Sequence, residues 1–180
     1  MKTQETKWAI DPSHSKVSFK VKHLMISNVL GNFKEFEGQV SSAENDFSGA
    51  VINVSLNAAS IDTEMADRDA HLKSPDFFDA EKYPKITFSG NGLKDLGDDM
   101  YELTGELTIK DVTKVVTLSV EFGGVMSDPW GNVKAGFSIN GKINRKDWGL
   151  NWNAALEAGG LLVGEEVKIS GDVELVKLAN

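Results

Sequence analysis

The sequence predicts an all-β fold of antiparallel strands with one short helical insertion. Three observations point there. Apolar and polar residues alternate with period two in successive segments, turn-forming residues separate those segments, and the stretch Ile61–Gly90 breaks the rhythm with closely spaced aromatic and charged residues.

The first clear strand is Val17–His23, with Val17, Phe19, Val21 and His23 on one face and Ser18, Lys20 and Lys22 on the other. In Ala50–Ala58, Ile52, Val54 and Leu56 oppose Val51, Asn53 and Ser55. Leu103, Leu107 and Ile109 share a face of the strand from Tyr101, and Val116, Leu118, Val120 and Phe122 share a face of the next. Val133, Ala135, Phe137, Ile139 and Ile143 repeat the pattern, as do Val163, Val167, Ile169, Val173 and Leu175. One apolar and one polar face marks antiparallel strands with a wet side. Turns are predicted at Glu44-Asn45-Asp46, Gly97-Asp98-Asp99, Lys110-Asp111 and Asp128–Gly131. Consecutive hairpins favour a meander, and closing it into a barrel removes the sheet edges. A sandwich of two sheets satisfies the same alternation, so periodicity leaves both open.

Within the insertion, Asp62 or Thr63 is placed to cap a helix over Ala66–Lys73. Ser74-Pro75 reads as a second helix start, and Pro84 ends helical structure and launches a strand from Lys85. Arg68 is expected to pair with Asp69 or Asp79, bracing the insertion against the barrel rim.

Bulk properties bound the function. At 180 residues the chain suits a single domain, 1–180, with a substantial core. The net charge of −8 argues against nucleic acid and anionic membrane surfaces as partners, because both require a basic footprint. There is no cysteine, so disulfides and thiolate metal sites are excluded. No apolar run approaches a membrane span, so stable membrane insertion is not expected. MKTQETKWAIDP lacks the apolar core of a secretory signal, which predicts a cytoplasmic protein, although a chain trimmed of its signal would read the same way.

Catalytic chemistry finds little support. His14 and His23 fall on opposite strand faces, and His71 has no histidine partner one helical turn away, so no metal site is expected. His14 is expected in a turn with Asp11, and His71 hydrogen-bonded within the insertion. Gly136–Lys142 superficially matches a phosphate loop but alternates as a strand, with Ile143 where a hydroxyl residue is needed. No cofactor motif and no catalytic residue is identified. Asp67, Asp69, Asp76 and Asp79 sustain one alternative, a barrel enzyme acting on an amphipathic substrate through carboxylates of the insertion. Core packing is the default expectation for the tryptophans, with Trp148 and Trp152 also candidates to line a mouth.

One set of motifs runs through nearly the whole chain. It comprises Trp8–Ser15 (WAIDPSHS), Val17-Ser-Phe19, Gly31-Asn-Phe33, Ile61-Asp-Thr63, Arg68–Ser74 (RDAHLKS), Asp76-Phe-Phe-Asp79, Tyr83-Pro84, Ile86-Thr-Phe88, Leu107-Thr-Ile109, Val112-Thr-Lys114 and Asn144–Gly149 (NRKDWG). In these the chain resembles the YceI family of bacterial lipocalin-like, polyisoprenoid-binding proteins. Asp111 departs from the pattern, which usually has glycine there, and is expected to carry a left-handed turn. The resemblance implies an extended antiparallel lipocalin-like β-barrel of about eight strands with a helical insertion at about 61–83 beside it. It also implies a non-enzymatic protein whose long apolar pore binds, stores or transports an isoprenoid quinone or polyprenyl lipid, and a possible homodimer.

Combined with the strand faces, that pore nominates a set of ligand-binding residues. They are Phe19, Val21 and His23 from the first clear strand, Phe33, Ile52, Val54 and Phe88 from the segments around the insertion, Leu103, Leu107, Leu118 and Val120 from the central hairpin, and Phe137, Ile139, Trp152, Val167 and Ile169 from the last third. His23, Asn28 and Trp152 are the candidates to orient a head group. Gly105, Gly141 and Gly171 either leave room for a ligand chain or permit close packing.

Overall fold

The structure, a computed structural model, describes residues 4–157 and 159–179. The strand segments are β1 (Glu5–Ile10), β2 (Lys16–His23), β3 (Ser27–Phe33), β4 (Phe36–Ala43), β5 (Asp46–Asn57), β6 (Ile61–Asp62), β7 (Lys85–Gly97), β8 (Met100–Ile109), β9 (Val112–Ser127), β10 (Val133–Asn144) and β11 (Val163–Lys177), with one α-helix, α1 (Ala66–Lys73).

β1 and β2 act as one long bent strand. The bend is a 3-10 turn at Pro12–His14, capped by the Asp11 side chain accepting from the Ser13 N–H. Both halves pair with β11, β1 through Trp8↔Lys177 and β2 through Phe19↔Ile169. β3 and β4 likewise follow one another against β2 and β1. The remaining pairs run β4–β5–β7–β8–β9–β10–β11, and the β1–β11 contact closes the ring. The result is a closed, antiparallel, up-and-down barrel of eight strands in chain order, which decides between barrel and sandwich.

Strands β3 and β4 have weak alternation because glycines stand at inward positions. Gly31 lies beneath the Phe19 ring, and Gly38 lies beneath Ile10 and Val54. A Cβ at either place would collide with those side chains, so glycine is what lets the neighbouring strand's apolar residue cross the wall.

The two ends of the barrel differ. At the far end, Trp8 is fully buried, donates through Nε1 to Ser42 Oγ at 2.9 Å, and packs 5.2 Å from Phe47. Phe47 in turn contacts Phe122 and Phe137 at 5.6 and 4.9 Å, so four aromatic rings seal that end. At the other end lie the β2–β3 turn, the insertion, the β8–β9 turn and the loop 145–162.

Several local expectations need correction. Neither Asp62 nor Thr63 caps α1: Met65 occupies the N-cap without a side-chain bond, and Asp69 instead accepts from the Thr63 N–H and Oγ1. Ser74-Pro75 starts turns, not a second helix, because Phe77 and Asp79 both donate back to the Ser74 carbonyl. The positive φ of the β8–β9 turn falls on Lys110, not Asp111. Trp130 is 84% exposed, not packed in the core, whereas Trp148 is buried with its Nε1 donating to the Leu107 carbonyl.

Candidate ligand cavity and its mouth

The barrel encloses a cavity of about 420 Å³, within the range of roughly 300–1,000 Å³ usual for small-molecule sites. Inward residues such as Phe19, Val21, Ile139 and Val167 are only half-buried, because this hollow leaves their inner faces uncovered. The structure places on the cavity wall the set nominated as its lining: Phe19, Val21, His23, Phe33, Ile52, Val54, Phe88, Leu103, Leu107, Leu118, Val120, Phe137, Ile139, Trp152, Val167 and Ile169. Asn28 does not line it and is exposed on β3 opposite Lys22.

The glycines divide. An added Cβ at Gly105 would lie 2.5 Å from the Phe88 ring and 2.7 Å from the Ser89 carbonyl, and one at Gly141 would strike Leu118. Those two serve close packing. At Gly171, which lines the cavity, the nearest atom would be Ile139 Cβ at 3.6 Å, an ordinary contact.

The charged and imidazole side chains on the wall, Lys22 among them, gather at the insertion end. Arg68 and His71 come from α1, His23 from the end of β2, and Arg145 from the 3-10 turn Arg145–Trp148 that follows β10. Arg68 makes no ion pair among the described residues. Its Nε donates to Thr63 Oγ1 at 2.8 Å and its Nη2 to the Thr63 carbonyl at 2.7 Å, which corrects the expected pairing with Asp69 or Asp79. His71 is hydrogen-bonded through Nε2 to Asp76 Oδ2 at 2.9 Å, and its ring stands against Phe77 and Trp152.

Arg145 is 3% exposed and anchors the mouth loop. Its Nε donates to the Gly164 carbonyl at 2.8 Å, Nη1 to the carbonyls of Leu150 and Trp152 at 2.5 and 3.0 Å, and Nη2 to that of Val163 at 3.3 Å. Burial lowers its pKa from the usual guanidinium value, with Glu165 acting in the opposite direction. Gly149 supplies the left-handed residue, φ 77°, that ends the turn. Sequence reasoning did not nominate Arg145 for the wall, although its segment, Arg145-x-x-Trp148-Gly149, was one of the motifs.

No Asp or Glu lines the cavity among the described residues. The carboxylates of the insertion face elsewhere: Asp69 is held by Thr63, and Asp76 lies on the exposed side of His71. Asp11, His14 and Glu174 approach one another outside the barrel in a group that resembles a cation site. The Lys134 ammonium already fills it, 2.7 Å from Asp11 Oδ2 and 3.1 Å from Glu174 Oε1, with His14 Nδ1 3.0 Å from the same Asp11 oxygen.

A closed antiparallel barrel around an apolar cavity, with a short helix at its mouth, defines a lipocalin-like protein. The YceI-like domain model matches residues 8–175, and the chain belongs to that family. It is 41% identical over 170 residues to a UPF0312 protein of Staphylococcus epidermidis, covering 94% of this chain and 96% of that one. The YceI protein of Campylobacter jejuni has a similar structure, with TM-score 0.76 and 34% identity over 89% of this chain and 91% of that one. A polyisoprenoid binding domain from Saccharophagus degradans, implicated in plant cell wall breakdown, shares the fold at TM-score 0.68 and 15% identity, covering 95% and 98%. No helix among the described residues is long and apolar enough to cross a membrane.

Proposed function

We propose that this barrel binds a long-chain isoprenoid lipid, a quinone or polyprenyl compound, and stores or transports it without altering it. The observation that carries this reading is the apolar cavity, sealed by aromatic rings at one end and bearing its charged and imidazole side chains at the other. Membership of the YceI family and the fold shared with a polyisoprenoid binding domain support it.

The prenyl tail lies along the wall between Phe19, Ile139 and Val167, where each buried CH₂ contributes about 0.8 kcal/mol before ordering costs. The head group sits at the mouth. Arg145 is committed to backbone carbonyls, so Arg68, His71, His23 and Lys22 are the groups left to meet an acceptor on the ligand. The alternative enzyme reading needs carboxylates of the insertion at the cavity, and among the described residues none lines it.

Titrating delipidated protein with a prenyl quinone, followed by intrinsic tryptophan fluorescence, tests this directly. Saturable quenching is expected, and it should be lost in Ile139→Trp, which fills the cavity, while the circular dichroism stays that of the barrel. Absence of saturable binding, or binding unchanged by the filled cavity, would contradict the reading.

A further inference from the structure

The β2–β3 turn is built against local preference. The Ile26 N–H donates to the His23 carbonyl at 3.2 Å, and both central residues have positive φ, Leu24 at 53° and Met25 at 61°. That is the pattern of a type I′ turn, in which Asn-Gly is the favoured pair. The β7–β8 turn at the opposite end has the same pair of positive φ values and fills them with Asp98 and Asp99, which tolerate that conformation better. At the mouth the chain spends the strained positions on Leu-Met and follows them with Ile26. Met25 is 60% and Ile26 84% exposed, and Leu30, four residues further along β3, is 67% exposed.

The wall below this tip is basic. Lys142 on β10, Lys168 on β11 and Lys20 on β2 are direct cross-strand neighbours in register, and Lys20 in turn stands opposite Leu30. Their neighbours Ile143, Val167, Ile169, Phe19 and Val21 line the cavity, so the three lysines point outward. Like charges directly opposite one another are unfavourable in a sheet. None of the three makes an ion pair among the described residues, in a chain whose net charge is −8 and which pairs Lys34, Lys85, Lys134 and Lys146 with carboxylates. Glu166 is the outward carboxylate next along β11.

The tip is continuous with the cavity. The Leu24 N–H donates to the Leu162 carbonyl at 2.9 Å, and His23 and Leu162 both line the cavity.

We propose that the mouth end docks on an anionic phospholipid bilayer, with Leu24, Met25 and Ile26 entering the acyl boundary and Lys20, Lys142 and Lys168 facing the lipid phosphates. Overall net charge argued against such a surface; the local arrangement supplies the basic footprint that it lacked. Docking places the cavity mouth at the layer from which an apolar cargo is taken. That purpose rests on the isoprenoid reading, but the docking itself is measured without it.

Flotation with vesicles of phosphatidylcholine alone, and of an equimolar mixture with phosphatidylglycerol, tests the proposal. The protein should float with the mixed vesicles at low ionic strength, and added salt should weaken the association. Leu24→Asn/Met25→Gly places the preferred pair in the turn, so thermal stability should rise while vesicle association falls at least ten-fold. Lys142→Glu/Lys168→Glu should cause a similar fall. Affinity of the same variants, delipidated, for a prenyl quinone titrated in solution without vesicles should match wild type, because none of these residues lines the cavity. No association with mixed vesicles would overturn the proposal, and so would association undiminished in either variant. A wild-type protein that carries lipid yet ignores vesicles would overturn docking alone and leave the cavity reading standing. A wild-type dimer that dissociates in Leu24→Asn/Met25→Gly, with no vesicle association, would assign the tip to a second copy and overturn the proposal.

Discussion

The His71 ring stands edge-on to the Trp152 indole, with centroids 4.6 Å apart and planes at 88°. One residue belongs to α1 and the other to the loop 145–162, so this contact joins the two segments that frame the cavity mouth. Phe77 completes the group, 5.1 Å from His71 and 5.4 Å from Trp152.

Trp152→Ala should therefore loosen the mouth without unfolding the barrel. Affinity for a prenyl ligand is expected to fall by about 1–2 kcal/mol, roughly ten-fold, from the lost aromatic contacts and wall area. Fluorescence titration of the remaining tryptophans, or competition with a labelled lipid, checks the figure. Unchanged affinity would show that the loop does not contact the ligand.

Arg145 has a different role, because its donors are spent on carbonyls of the mouth loop and of β11. Arg145→Met leaves those carbonyls without their donor and should cost on the order of 3 kcal/mol in urea unfolding. Hydrogen exchange should quicken first in residues 150–163. A uniform loss of protection would mean that Arg145 supports the whole barrel.

Glycines that look alike in sequence should respond in opposite ways. Gly105→Ala forces a methyl against the Phe88 ring and the Ser89 carbonyl, and should cost about 1–3 kcal/mol. Gly171→Ala meets only ordinary contacts and should stay within about 0.5 kcal/mol of wild type. Thermal melts of the two variants decide the matter.

The Asp11–Lys134 contact predicts a pH dependence. Hydrogen bonds from Lys134, Ser13 and His14 hold the Asp11 carboxyl well below the usual carboxylate range. A depressed folded pKa contributes stability above the unfolded value near ~3.9, and that contribution is lost as pH falls below it toward the folded pKa. Asp11→Asn should therefore be less stable than wild type at neutral pH, with the gap shrinking below about pH 4. Lys134, raised chiefly by its bond to Asp11, keeps its charge throughout that window. Urea unfolding of both proteins across pH 2–7 tests this, and a constant gap would assign the effect to packing.

Much of this was legible in the sequence, for identifiable reasons. Strands such as Val116–Phe122 and Val133–Ile143 alternate cleanly because one face meets the cavity and the other meets water. β3 and β4 were obscured by Gly31 and Gly38, whose inward positions are filled by side chains from other strands. Closure was invisible to periodicity, since it depends on β1 and β2 sharing β11 across the bend at Pro12. The lining followed from strand faces combined with the pore that the family resemblance implied, and at the mouth Trp152 was nominated but Arg68 and Arg145 were not. Arg68 bonds the Thr63 hydroxyl and carbonyl where charge pairing suggested Asp69 or Asp79, Arg145 bonds backbone carbonyls, and no spacing rule in the sequence forecasts such partners.

On the proposed function, the cavity holds an isoprenoid lipid. Purifying the protein without detergent, extracting it with organic solvent and analysing the extract by mass spectrometry tests this most directly. A near-stoichiometric isoprenoid quinone or polyprenyl compound, absent from the Ile139→Trp variant prepared in parallel, is the predicted result. An extract with no prenyl lipid, or the same lipid in equal amount from the filled-cavity variant, would contradict it.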